Sequence, residues 1–324
     1  MKRNLPGLAL SLLLATLAMI LGRVFPLVGS SVFAIVLGII LNNTTHIKLD
    51  YQWGLGFAGK KLLQYSIILL GFSLSIAKVS ATGISSLKIS ILTILISFGA
   101  AALMGRFLGM NKTLTTLIGF GTAICGGSAI AAASPVLEAK EEDIALSIST
   151  IFFFNVLAVF IFPFLGHAMG MTDTVFGTWA GTAINDTSSV VAAGYSYSSA
   201  AGDMATIVKL SRALMIVPAC LIFAFARYHS SKHSSQKVDL KKIFPWFILW
   251  FVLASLVSSL GLVPAFVLPW TKLASQWLMA MALAAIGAKV SFKQFRDAGA
   301  APLLTGAFAW FAVAGSSLII QYFF

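Results

Sequence analysis

Apolar residues recur in long runs over the whole chain, with no long hydrophilic interval between them. Eleven runs lie at about 5–22, 27–42, 57–75, 87–105, 113–134, 143–165, 174–194, 205–226, 243–262, 270–288 and 300–323. Each approaches the roughly 20 residues that a helix needs to cross about 30 Å of hydrocarbon, so the pattern predicts about eleven transmembrane helices. The second run is short, and the fifth and seventh are interrupted by small, polar, glycine-rich stretches. The first run follows a basic start, as a secretory signal would, but it ends in GRVFPLVGSS without a small-x-small cleavage site. It is therefore expected to be a transmembrane helix.

Composition agrees. Of 324 residues, 59% are hydrophobic and 10% charged, and the mean hydropathy is +0.95. No soluble domain of this size hides so many apolar side chains. The expected fold class is an all-α polytopic membrane protein, with residues 1–324 forming one integral domain.

The formal charge of +12 suits nucleic acid in principle, but the basic residues are dispersed at the ends of apolar runs. A bilayer surface accounts for them better, so nucleic acid is not an expected partner. If the N-terminus is cytoplasmic, fifteen of the 22 basic residues lie on its side and five on the other. That asymmetry matches the positive-inside bias and implies an odd number of crossings. It places the acidic stretch EAKEED at 138–143 outside, where it reads as a solvated loop and helix start. The polar interval 226–242 becomes a basic cytoplasmic loop beside anionic lipid, with His229 and His233 solvated in it.

Two candidate chemistries are weak. Cys125 and Cys220 both fall in apolar runs, too few for a disulfide framework or a zinc site. No phosphate-binding glycine-lysine loop is present, so this chain is not expected to hydrolyse ATP. No cofactor is expected.

The interrupted runs carry the stronger signal. GTAICGGSAIAAAS at 121–134 and GTAINDTSSVVAAG at 181–194 are identical over their first four residues and match at Ser128/Ser188, Ala132/Ala192 and Ala133/Ala193. Glycine disfavours a helix interior by roughly 1 kcal/mol relative to alanine, and Gly119, Gly121, Gly126 and Gly127 fall close together. Both runs are therefore expected to be interrupted helices. A break inside lipid must pack on protein or line a polar cavity, which is the geometry of a transporter binding site. Close helix packing by small residues is the plainer alternative.

Asp186 is the sharpest residue, since a carboxylate in a span needs a partner or water. It is a candidate for coupling to an ion or proton, or for pairing with a base. Lys209 and Arg212, three residues apart on one helix face, supply that base, and an Asp186–Arg212 pair is equally compatible with a structural role. If functional, the two cations are the natural holders of an anion. The candidate binding set is Thr122, Cys125, Gly126, Gly127, Ser128, Thr182, Asn185, Thr187, Ser188, Lys209 and Arg212. Asn155, a lone amide among aromatics, reads as glue between helices rather than a ligand. An intramembrane enzyme with Cys125 or Ser128 as nucleophile is disfavoured, because the histidines lie at run ends or in the basic loop.

A further likeness, LLGFSLSIAKVS at 69–80 and ALAAIGAKVSFKQF at 282–295, shares Ala-Lys-Val-Ser on segments of opposite expected orientation. Such pairs mark inverted-topology repeats. The two GTA motifs do not fit a simple inversion, because the eleven-span count brings both in from one side; either one motif is re-entrant or the repeat is irregular.

GTAICGGSAIAAASPVLEAKEEDIALSIS, WAGTAINDTSSVVAAG, IVKLSRALMIVPA and KKLLQYSIILLGFSLS resemble signature blocks of the UPF0324 family, the YeiH-type family named for sulfate export, across essentially the whole chain. The resemblance implies a multi-pass secondary transporter of the bacterial inner membrane, distantly similar to cation/proton antiporters and bile-acid symporters. It implies broken helices, a small anion such as sulfate or sulfite as substrate, export, and coupling to H+ or Na+. A homodimer is compatible with it. This sequence departs from the family pattern at Asn185 and Ser189, where relatives carry histidine and glutamine. A proton cycle resting on that histidine is thereby put in doubt. A cation/proton antiporter or a sodium-coupled organic-anion symporter is the nearest rival.

Overall fold

The apolar runs fold as helices because lipid offers their backbone groups no partner outside the segment. The computed structural model describes residues 5–25, 29–45, 47–230, 244–293 and 299–323, and among them every regular element is helical. Most of the basic loop expected at 226–242, including His233, lies outside the described residues. Among the described residues, five helices are long and apolar enough to cross a membrane: Leu5–Val24, Ile76–Phe107, Glu141–Ala168, the joined stretch Ser199–Ala226, and Ala300–Phe323. Gly29–Thr44, Gly127–Leu137 and Trp246–Ser259 are shorter apolar helices.

The chain divides into two compact units, each assembled from discontinuous segments. The first comprises residues 1–82, 191–203 and 246–292. Its helices are α1 (Leu5–Val24), α2 (Gly29–Thr44), α3 (Leu49–Phe57), α4 (Leu63–Gly71), α13 (Trp246–Ser259) and α14 (Leu268–Gly287), with a π turn at Ala58–Leu62 joining α3 to α4. Here α2 and α14 touch backbone to backbone. A Cβ on Gly38 would lie 2.3 Å from Ala284 O, and one on Gly287 would lie 2.2 Å from Ile35 O, so only glycine permits this approach. Leu55, Ala58, Leu62, Ala282, Ala285 and Ala288 form a buried cluster beside it.

The turn between α4 and the next helix is held by serines of α13. Ser255 and Ser258 donate to Leu74 O and Phe72 O at 2.6 and 2.7 Å, and Ser259 Oγ accepts from Ile76 N at 2.9 Å. The two Ala-Lys-Val-Ser stretches occupy different local structure. Residues 77–80 open a long helix, whereas 288–291 follow the end of α14, where Asn42 and Asn43 donate to Val290 O.

The second unit comprises residues 83–190, 204–245 and 293–324. It holds most of α5 (Ile76–Phe107), α6 (Lys112–Ala123), α7 (Gly127–Leu137), α8 (Glu141–Ala168), α9 (Asp173–Ala183), α12 (Ile216–Ser230) and α15 (Ala300–Phe323). It also holds the start of α10 (Thr187–Tyr197) and the end of α11 (Ser199–Ala213).

Contacts along α8 show how the interrupted runs fold. Asn111 Nδ2 donates to Asp143 Oδ1 at 2.9 Å, a Cβ on Gly121 would lie 2.6 Å from Ile151 Cγ1, and Gly126 lies against Asn155. The α6 helix thus runs parallel to the first half of α8. Residues 138–140 connect α7 back to α8, and a Cβ on Gly127 would meet Phe152 at 3.6 Å, so α7 runs antiparallel to α8. Consequently α6 and α7 are a hairpin: the chain reaches the middle of α8 and returns to the end where it started. Asn111 anchors that end, since its Oδ1 also caps α6 by accepting from Leu114 N at 2.7 Å.

From the other end of α8, α9 comes back antiparallel. Phe162 stacks on Trp179 at 4.2 Å, and Asp186 N donates to Asn155 Oδ1 at 3.1 Å. The next helices pack on both breaks. The 28-residue stretch Ser199–Ala226 joins α11 to α12. Its α12 half lies beside α6 and α7, with Phe223 packed 4.9 Å from Phe120. Its α11 half lies beside α9, where a Cβ on Gly181 would meet Ala205 O and Val208. The α10 helix leaves the second break and joins α11 through Ser198. The fifth apolar run is therefore a hairpin of half-length helices, the seventh is broken after α9, and α6 and α9 approach the midpoint of α8 from opposite ends. The α15 helix closes this side: Trp179 Nε1 donates to Ala314 O at 3.0 Å and Trp310 packs on Phe154 and Phe162.

Candidate functional site

Both GTA motifs end a helix at the same register. The α6 helix stops at Ala123 and α9 at Ala183; residues 124–126 and 184–186 are non-helical, and new helices begin at Gly127 and Thr187. Each break exposes C-terminal carbonyls that have lost their intrahelical donors. Those carbonyls are where Lys209 and Arg212 bind. Lys209 Nζ donates to Ile124 O at 2.7 Å and to Ile184 O at 2.8 Å, the same motif position in both breaks. Arg212 Nε donates to Ala123 O at 2.5 Å, and Nη1 donates to Thr182 O and to Thr93 Oγ1.

Both cations have 0% exposure. Burying such charges is tolerable because two helix C-termini, each carrying partial negative charge, converge on them. The helical spacing of Lys209 and Arg212 puts both on one face of α11, so a single helix ties the two breaks together.

Asp186 is the N-cap of α10. Its Oδ2 accepts from Ser188 N at 3.0 Å and from the Ser188 hydroxyl, while Val190 N donates to its carbonyl. The carboxylate is thus turned to the start of its own helix, and the Arg212 guanidinium to carbonyls.

The tips touch each other. A Cβ on Gly126 would lie 3.2 Å from Asp186 Cβ and 3.6 Å from Asn155 Nδ2. Gly126 has φ 66° and ψ −132°, a region open to glycine and strained for any other residue. Cys125 and Ser128 flank it, with the Ser128 hydroxyl donating to Cys125 O at 3.0 Å and lying 3.2 Å from Sγ.

The surroundings are short of partners. Asn155 Nδ2, Asn185 Oδ1 and Nδ2, Thr122 Oγ1 and Arg212 Nη2 are buried with no hydrogen-bond partner. Thr182, by contrast, donates back to Thr178 O at 2.8 Å and meets Ser317 Oγ. Ser188 is buried, Thr187 is partly buried, and Ser128 is exposed. The candidate set chosen from sequence therefore gathers at one place, the junction of two helix breaks. Asn155, read from sequence as glue, stands at the centre of that place. Thr93 on α5 and Ser317 on α15 were not foreseen at all, because a lone hydroxyl on an apolar helix carries no sequence signal.

Fold and site together define a multi-pass membrane protein, all-helical among the described residues, with two interrupted helical runs. Residues 6–306 match the family model described as Conserved hypothetical protein 698. The UPF0324 membrane protein of Clostridium tetani is 39% identical, covering 99% of this chain and 97% of its own. That of Streptococcus pneumoniae strain R6 is 43% identical with the same coverage, and that of Fusobacterium nucleatum is 39% identical, covering 99% of this chain and 98% of its own. The chain belongs to the UPF0324 family of membrane proteins. No solved structure matches it.

Proposed function

We propose that the protein is a secondary active transporter of a small oxyanion, sulfate, sulfite or a related sulfur compound, with its site at the meeting point of the two hairpin tips. One observation carries this: the three ionisable side chains at the junction, Lys209, Arg212 and Asp186, sum to a formal +1, and the amide of Asn155 and the Nη2 of Arg212 are left without acceptors. Buried positive charge and unfilled donors call for an anion. Irregular backbone at membrane depth serves a binding site in discontinuous helices.

In the membrane, the α6/α7 and α9/α10 hairpins are re-entrant from opposite faces and the other nine apolar runs cross. This supplies the inversion that a count of eleven crossings lacked. It also moves residues 138–143 to the face of the N-terminus, so that Lys140 raises the basic count there to sixteen against four. The bias favours a cytoplasmic N-terminus in the inner membrane of a bacterium more strongly than before. Asp186 is the residue through which H+ or Na+ couples to the anion, and export is the direction that the family resemblance implies.

The test is reconstitution in liposomes with labelled sulfate and sulfite, under imposed pH and sodium gradients. Gradient-dependent flux, lost in Arg212→Ala, is the expected result. Cation exchange with no anion flux would support the antiporter instead, and no flux of any kind would overturn transport.

A further inference from the structure

The two motifs align Gly126 with Asp186, Gly127 with Thr187 and Ser128 with Ser188. At the second motif, the aligned residue brings a carboxylate that caps α10 through the amide and hydroxyl of Ser188. At the first motif the aligned residue has no side chain, and α7 begins without a side-chain cap. The Gly126 carbonyl takes Ala129 N and Ile130 N, so the amides of Gly127 and Ser128 are those that the geometry of a first turn leaves facing outward.

A bare helix N-terminus alone would mean little. The independent observation is Asn155, 2% exposed, whose Nδ2 has no partner and lies 3.6 Å from the Cβ position of Gly126. Its Oδ1 is already committed to Asp186 N, so the orientation of the amide is set and the NH2 faces the α7 start. Ser128, whose hydroxyl donates to Cys125 O, stands on the same turn.

We infer that the transported anion binds as the missing cap of α7, its oxygens taking the N–H groups of Gly127 and Ser128 and the Asn155 amide, as the Asp186 carboxylate takes Ser188 on α10. This rests on the transporter reading above and assigns the anion's seat within it. The chemistry favours a group with at least two oxygens at one centre, such as sulfate, sulfonate or carboxylate, over a halide, because the donors are separate N–H groups that one spherical ion serves less well. Position 126 is glycine because its φ of 66° strains any other residue and a Cβ would press on Asp186. Lys209 and Arg212 then act behind the site as positioning residues. They hold both tips in register through carbonyls rather than gripping the anion.

Two substitutions test this with little disturbance. Asn155→Asp is isosteric and keeps an acceptor for Asp186 N, but replaces the donor with a second oxygen. Gly127→Pro removes one amide at the first helical position, where proline is favoured. Binding of labelled sulfate and of methanesulfonate is measured on the full-length protein in lipid nanodiscs, with thermal unfolding as the check on folding. At least about tenfold weaker binding is expected in each variant, the scale of one charged hydrogen bond, and if one variant fails to fold the other decides. Wild-type affinity in the folded variants overturns the cap. If the wild-type protein still carries sulfate across liposomes, the transport reading survives that failure. If the wild-type protein neither carries nor binds sulfate, sulfite or methanesulfonate, both fall.

Discussion

Replacing Lys209 by methionine removes the charge and keeps most of the volume, so its effect isolates the bond from one ammonium to two helix ends. In the wild type, Nζ serves Ile124 O at 2.7 Å and Ile184 O at 2.8 Å. Leaving a buried acceptor without a donor destabilises by about 1–3 kcal/mol, or about 2–6 kcal/mol for the two carbonyls. Against this, an ammonium no longer has to be desolvated, which favours the variant. The relieved desolvation trims the loss to the lower part of that range, about 2–4 kcal/mol. For a unit of this size, about 2–4 °C per kcal/mol turns that into a fall in Tm of roughly 4–16 °C. Tryptophan fluorescence of the purified protein in nanodiscs reads it, and Lys209→Arg, which keeps the donors, should fall less. A Lys209→Met protein that melts within about 2 °C of wild type would show that the ammonium is not what joins the breaks.

Three further outcomes follow from the same geometry. Gly126→Ala should destabilise by about 1–3 kcal/mol, since φ 66° is strained for alanine and its Cβ would press on Asp186 Cβ at 3.2 Å; the same melting assay checks it. Asp186→Asn should change stability by less than about 1 kcal/mol, as asparagine caps a helix nearly as well. It should abolish the response of anion flux to the coupling gradient and tighten sulfate binding by relieving about 1–3 kcal/mol of like-charge repulsion, seen by flux and by isothermal titration. In a protein with Cys125 and Cys220 replaced, a cysteine at Glu142 should react with an impermeant maleimide only from the cytoplasmic side and one at Asp173 only from outside. Labelling of the two from a common side would refute the opposed hairpins.

Much of this protein is written in its order of residues. Eleven apolar runs mark the helical stretches because lipid forces backbone groups to pair within a segment. The GTA motifs mark both breaks, because clustered glycine, asparagine and aspartate cannot sustain a helix there. The three-residue spacing put Lys209 and Arg212 on one face of α11. What the tertiary structure alone decides is where the chain goes after each break. An apolar run of about 20 residues is long enough for one full crossing or for two half-length helices folded back on each other, and three residues of free backbone allow either; contacts along α8 choose the second for α6 and α7. Folding back brings two helix C-termini to one point, and that convergence commits Lys209 and Arg212 to carbonyls. It also turns Asp186 to Ser188 and leaves Asn155 at the centre with an unfilled donor. Such partnerships depend on groups far apart in the chain whose meeting depends on packing, so no local pattern could announce them.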